Sequence, residues 1–188
     1  MTIAVVAVQG AFIEHEHMLT GLGADCIELR EKADLAKPYD ALVLPGGEST
    51  VQGKLLKELD MFDTLKEQIA GGMPVLATCA GLILLAGDLV NDDRSCFCTL
   101  PVSVRRNAYG RQLGSFYIES EMKGIGRVPM TFIRAPYIDS VDTDAGVDVL
   151  AEVDGKIVAV QYRNQLAMAF HPELGADTRI HEYFLSMI

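Results

Sequence analysis

A chain of 188 residues, with 49% hydrophobic and 22% charged side chains, can fill one α/β core and is too apolar for a disordered protein. Its formal charge of −10 and pI near 4.8 disfavour nucleic acid and anionic membranes, which are bound through clustered Lys and Arg, and point to a small solute or another protein. No apolar run reaches membrane-spanning length, no basic leader precedes the first apolar stretch, and four irregularly spaced cysteines do not make a disulfide framework, so the expectation is a cytoplasmic protein with free thiols.

Residues 3–8 read as an apolar, β-branched strand, and 12–22 as a helix. The order recurs with strand 41–44, a glycine-bearing turn and helix 50–70, then with strand 74–77 and a helix over 80–89. Strands that are apolar throughout, rather than alternating, belong to a parallel sheet covered on both faces. Beyond Cys98 the texture changes to short strands at 102–105, 115–119, 147–152, 157–162 and 167–170, separated by turn chemistry such as Asp154-Gly155, and a closing helix spans 177–187. The pattern predicts an α/β fold with three layers: an open, mostly parallel sheet flanked by helices, with a partly antiparallel extension. Neither a repeat nor a linker interrupts it, so residues 1–188 are expected to form a single domain.

Three strand ends carry chemistry. The segment Pro74-Val75-Leu76-Ala77-Thr78-Cys79-Ala80-Gly81-Leu82 passes from strand to helix through small residues, with Cys79 at the apex, in the manner of a nucleophile elbow. Such a turn holds the side chain out, the positive end of the following helix favours a thiolate, and the N–H of Ala80 points where an oxyanion would form. A free cysteine is more often a small buried hydrophobe. What weighs against that is Ala169-Phe170-His171-Pro172-Glu173, which sets a base and its orienting carboxylate together at another strand end, with Pro172 limiting the slack between them. The third element, Leu44-Pro45-Gly46-Gly47-Glu48-Ser49-Thr50, allows close backbone approach but lacks the Gly-Lys-Ser/Thr ending of a phosphate loop, so a cradle for an oxyanion or carboxylate fits it better. All three lie at carboxyl ends of predicted parallel strands, where open α/β sheets bind ligands.

These residues resemble the class I glutamine amidotransferases, in which a Cys-His-Glu triad hydrolyses the side-chain amide of glutamine. With Val8-Gln9-Gly10-Ala11-Phe12, Arg106-Asn107-Ala108-Tyr109-Gly110-Arg111-Gln112 and Phe132-Ile133-Arg134-Ala135-Pro136, the chain is similar over nearly its whole length to the glutaminase subunits of pyridoxal phosphate synthase. The resemblance implies a cofactor-free glutaminase with Cys79 as nucleophile, His171 as base and Glu173 as orienter. It would release L-glutamate and ammonia from L-glutamine, the ammonia passing directly to a synthase subunit for pyridoxal 5'-phosphate (vitamin B6) biosynthesis. It further implies oxyanion-hole amides at Gly47 and Ala80. Gly46, Gly47, Glu48, Ser49, Arg106, Ile133 and Arg134 would surround glutamine, an arginine fork suiting its carboxylate, and Gln9 and Gly10 would couple the site to the partner. Two positions depart from the family pattern: Ala77 stands where Gly usually precedes Thr-Cys, and Val51 where a second Thr commonly follows Ser-Thr.

Metal ligation is not expected. The one-residue gap in Cys96-Phe97-Cys98 is short for a zinc knuckle and no second pair follows. In Glu14-His15-Glu16-His17, residues two apart on a helix do not face each other, so these side chains, and His181, are read as solvated.

Overall fold

The computed structural model describes residues 1–90, 92, 96–106 and 115–188. Residues 107–112, which make up the Arg106 string beyond its first member, lie outside the described residues.

The first half follows the βα order that the apolar runs dictate: β1 (Thr2–Val6), α1 (Phe12–Gly21), β2 (Asp25–Leu29), β3 (Ala41–Leu44), α2 (Ser49–Glu58), α3 (Phe62–Ala70), β4 (Val75–Thr78) and α4 (Ala80–Leu85). The second half is β5 (Ala86–Leu89), β6 (Leu100–Arg105), β7 (Ser115–Met122), β8 (Gly126–Ile133), β9 (Tyr137–Val141), β10 (Asp148–Val153), β11 (Lys156–Tyr162), β12 (Gln165–Met168), a 3-10 turn at Pro172–Leu174 and α5 (Arg179–Leu185). The main sheet runs β2-β1-β3-β4-β12-β11-β9-β6-β5, with β10 on β11. From β2 to β12 every pairing is parallel, and from β12 through β11 and β9 to β6 the pairings are antiparallel. A mostly parallel sheet with an antiparallel extension is therefore what forms.

Strands β3, β4 and β12 are buried at every residue, which is why their sequences show no alternation. Each fully buried Leu or Val side chain contributes on the order of 1.5–3 kcal/mol by leaving water, and one cluster of such residues runs from Ile3 to Phe184. β12 pairs with β4 in a register that sets Met168 beside Thr78. The chain leaving β12 is thereby delivered to the same carboxyl end of the sheet as the β4 turn.

Two expectations need correction, and some strands escape the sequence pattern. Helix 50–70 is two helices, broken where Asp60 takes φ 54° and the Met61 N–H donates to the Leu56 carbonyl; Asp tolerates this left-handed conformation better than most residues. Helix 80–89 stops at Leu85, because the N–H groups of Phe97 and Thr99 take the carbonyls of Leu84 and Leu85, and the next four residues become β5 against β6. Its wholly apolar sequence gives no periodicity from which the stop could be read. Strand β2 had no assignment, since an edge strand carrying Asp25 and Glu28 lacks an apolar signature. Strand β8 was masked by Pro129, which a two-stranded ribbon with free edges tolerates.

That ribbon, β7 with β8, stands apart from the main sheet. Phe132, stacked on Phe116 within the ribbon at 4.5 Å between ring centroids, ties it down by tilting against Phe170 at 5.6 Å. The His171 N–H also donates to the Thr131 carbonyl at 2.8 Å. The ribbon thus carries Ile133 and Arg134 to the end of β12.

Candidate active site

Cys79 occupies the turn between β4 and α4 with φ 47° and ψ −96°, a conformation that L residues avoid. Its N–H donates to the Met168 carbonyl of β12 at 2.8 Å, which fixes the apex to the neighbouring strand. Gly81 lets the helix sit directly on β3, since a β-carbon there would lie 2.2 Å from the Leu44 carbonyl oxygen. Ala77 fits where Gly was expected: it is fully buried, in register with Leu44 on one side and Ala167 on the other, so the extra methyl fills the sheet face. Val51 is exposed on α2 and contributes only its N–H, donated to Glu48 Oε2 at 2.9 Å.

His171 leaves the end of β12 two residues after Ala169, and Glu173 follows in the 3-10 turn. The side chains of Cys79, His171 and Glu173 are brought together. His171 Nδ1 lies 2.7 Å from Glu173 Oε1, and the ring hydrogen-bonds the Cys79 sulfur. A carboxylate only accepts, so Nδ1 carries a proton and Nε2 faces Cys79. All three are nearly buried, at 6%, 7% and 4% exposure respectively. Burial alone would lower the pKa of His171, but the bonds to Cys79 and Glu173 outweigh it and hold the imidazolium up to about 10. Burial likewise disfavours charge on Glu173, yet His15 on one side and His171 on the other hold its carboxyl below the ordinary range.

Cys79 and His171 open onto a cleft of about 350 Å³, bordered also by Gln9, Gly47, Glu48 and Ser49. Arg106, Ile133 and Arg134 also line it, together with Ile83 and Pro136, two residues that no sequence expectation placed at the site. Gly46, Ala80 and Gly10 stand behind this surface. Gly46 packs on the His171 ring, Ala80 opens α4 beside Cys79, and Gly10 meets the loop after β3, where its φ of 109° and the 2.0 Å from a would-be β-carbon to the Gly46 carbonyl oxygen exclude any side chain.

Hydrogen bonds stitch the loop after β1 to the loop after β3. The Glu48 N–H donates to Gln9 Oε1 at 2.9 Å, the Ala11 N–H to the Gly46 carbonyl at 3.0 Å, and Gln52 Nε2 to the carbonyls of Gln9 and Pro45 at 2.9 and 3.2 Å. Gln52 is almost fully buried and was also missed. The Glu48 carboxylate caps α2 by accepting the N–H groups of Thr50 and Val51, and these bonds hold it below its usual pKa against the cost of burial. The Arg106 guanidinium pairs with Glu48 Oε1 at 3.2 Å and Asp92 Oδ2 at 2.8 Å, so part of its fork is engaged, whereas Arg134 at φ 42° is exposed and forms no ion pair among the described residues.

One expectation fails outright. His15 and His181 are not solvated: both are 0% exposed, with His15 Nδ1 3.0 Å from His181 Nε2. His15 Nε2 lies 3.1 Å from Thr78 Oγ1 and 3.5 Å from Glu173 Oε2. A signal was available, since His15 falls on the face of α1 that carries Phe12 and Leu19, and His181 on the face of α5 between Ile180 and Phe184. His17 and Glu14 are exposed.

Residues 5–188 match the family described as SNO glutamine amidotransferase. The chain is 61% identical, over all of its 188 residues and 94% of the relative, to a protein of Desulfitobacterium hafniense named "Pyridoxal 5'-phosphate synthase subunit PdxT". A Streptococcus pneumoniae protein of the same name is 50% identical over 190 positions, covering 100% of this chain and 97% of that one. A solved structure described as a glutamine amidotransferase superposes with a TM-score of 0.92 at 40% identity, covering 98% of this chain and 97% of its own. PurLQS from Thermotoga maritima shares the fold, with a TM-score of 0.68 at 14% identity and the same two coverages of 98% and 97%.

Proposed function

The chain belongs to the SNO glutamine amidotransferase family, and we propose that residues 1–188 act as one domain, the glutaminase subunit of pyridoxal 5'-phosphate synthase, in which Cys79, His171 and Glu173 form the triad. The observation that carries the site assignment is the pairing of β4 with β12, which sets a sulfur and an imidazole 92 positions apart in the sequence hydrogen-bonded at the mouth of one cleft, with a carboxylate behind the imidazole.

The Cys79 sulfur attacks the carboxamide carbon of L-glutamine and the carbonyl π pair moves onto oxygen, where the amides of Gly47 and Ala80 receive the charge. His171, protonated through its bonds to Cys79 and Glu173, gives its Nε2 proton to the amide nitrogen as the C–N bond breaks, and ammonia departs. The ring, now neutral, takes a proton from water, which attacks the γ-glutamyl thioester. Collapse of the second tetrahedral intermediate expels the sulfur, and glutamate leaves. Arg106 and Arg134 suit the substrate α-carboxylate and Glu48 its ammonium group, with Gly46, Ser49 and Ile133 shaping the pocket between them. Gln9, bonded to the loop that carries Gly47, and Gly10, packed against it, couple the oxyanion amide to a synthase subunit seated over the cleft, which takes up the ammonia before solvent can protonate it.

No helix among the described residues is long and apolar enough to cross a membrane. The free thiols of Cys26, Cys79, Cys96 and Cys98 suit the reducing cytoplasm, which is the location we assign.

The test is ammonia and glutamate release by Cys79→Ala in the presence of the synthase subunit. Turnover is expected to fall by roughly 10⁶-fold, the scale on which an enzyme loses its nucleophile. Wild-type turnover would overturn the assignment.

A further inference from the structure

Oxygen Oε1 of Glu173 is bound by His171, but Oε2 is buried without a hydrogen bond of ordinary geometry among the described residues. His15 Nε2 lies 3.5 Å from it, and the same nitrogen lies 3.1 Å from Thr78 Oγ1. His15 is held in turn by His181, Nδ1 to Nε2 at 3.0 Å. Two fully buried imidazoles, one from α1 and one from α5, therefore stand behind the triad, where α1 packs on the 3-10 turn of Glu173. Apolar residues would fill that space without the cost of burying polar rings.

Hydrogen-bond accounting settles the tautomers. One proton lies between the two rings. If His15 donated it from Nδ1, its Nε2 lone pair would face the Glu173 carboxylate and His181 would be left with an N–H at Nδ1, an atom buried without a partner among the described residues. If His181 donates from Nε2, the unpaired atom is only a lone pair, and His15 presents Nε2–H to Thr78 Oγ1 and Glu173 Oε2 together. The second arrangement leaves no donor stranded.

We propose that His15, held by His181, is a positioning residue: its Nε2–H sets the second oxygen of Glu173 and the hydroxyl of Thr78, and so keeps the base and the nucleophile turn in register. Burial lowers the pKa of both rings, that of His181 to about 3, so the pair stays neutral. A neutral N–H orients Glu173 without cancelling the charge that His171 needs; a cation there would compete for it. The inference rests on the triad assignment made above.

The test has two arms. In the full chain, nitrogen-15 NMR of the imidazoles at pH 7 should show His15 neutral and protonated at Nε2; a positively charged His15, or one protonated at Nδ1, overturns the proposal without any variant. In the complex with the synthase subunit, His15→Leu should lower kcat about 10- to 100-fold, as loss of an outer hydrogen-bond partner of a held imidazole does, with the KM for glutamine changed by less than about twofold. His15→Gln, which keeps one N–H donor and one acceptor, should recover most of that loss. A folded His15→Leu with wild-type kcat, or a Gln variant no better than Leu, also overturns it. Retained turnover in Cys79→Ala would instead sink the triad assignment, whereas an inactive Cys79→Ala beside a fully active His15→Leu sinks this inference alone.

Discussion

Gly46 lies against the imidazole of His171, so that a β-carbon built on it would stand 2.2 Å from Cε1 and 2.8 Å from Nδ1 of the ring. No side chain fits there unless the ring or the loop moves, and Nδ1 is the atom held by Glu173. Gly46→Ala should therefore fold, because Gly46 is not among the positive-φ glycines and the clash is with a side chain. Its kcat should fall about a hundredfold, the scale of a 1 Å displacement of a reacting group. Circular dichroism with a glutaminase assay in the complex measures both, and a near-normal kcat would show that the ring does not need its present seat.

The Cys79 turn stores strain that glycine would release. At φ 47° and ψ −96° a β-carbon is unfavourable, and alanine keeps it. Cys79→Gly should consequently be more stable than Cys79→Ala by about 1 kcal/mol, after the extra chain entropy of glycine offsets part of the relief. Urea unfolding of the two inactive variants decides it; the usual order, alanine above glycine, would mean an unstrained elbow.

Arg106 links the cleft beside Cys79 to the cap of α2 through Glu48. Arg106→Ala removes a planar fork near the site assigned to the glutamine carboxylate, and should raise KM by roughly 10- to 100-fold, the worth of a charged hydrogen bond, with a smaller change in kcat. Arg106→Lys should recover only part, because an ammonium cannot replace two parallel N–H groups. Initial-rate kinetics over a wide glutamine range test this, and an unchanged KM in both variants would remove Arg106 from the binding set.

The parts of this molecule legible in its sequence are those where local chemistry and tertiary role coincide. β3 is an unbroken apolar run because both its faces are covered, and the bounds expected for it are those observed. Cys79, His171 and Glu173 announce themselves through small neighbours and a proline that only tight turns require. The illegible parts depend on distant groups. Nothing within residues 80–89 says that α4 must end at Leu85, because the groups that take its carbonyls are Phe97 and Thr99. His15 and His181 look like polar residues on solvated faces until packing brings α1 and α5 together. Read as members of an apolar face, each would have been marked as buried, though not as neighbours of Glu173.

The buried histidines also set the acid limit of stability. Burial pushes His181 down to about 3 from 6.5, and lowers His15 as well, so between those values the unfolded chain takes up protons that the folded one refuses. The contribution of these two rings is then complete only well above pH 6.5 and declines as the pH falls, and His181 alone costs about 2 kcal/mol at pH 5. Another member of the cluster acts in the opposite sense, and comparison with a variant separates the two. His171, raised to about 10, is protonated in the folded state throughout this range while its unfolded counterpart takes up its proton, so it adds on the order of 1 kcal/mol as the pH falls from 7.5 to 5, equally in wild type and variant; Glu173, lowered from 4.5, loses its contribution only below its unfolded pKa. Urea unfolding of the wild type and of His181→Phe at pH 7.5 and pH 5 should give a drop that is smaller in the variant by about 2 kcal/mol, even if the variant is less stable at both. Equal drops would mean that His181 accepts its proton inside the folded protein, and a charged imidazole beside His15 would be incompatible with the neutral pair on which the tautomer argument stands.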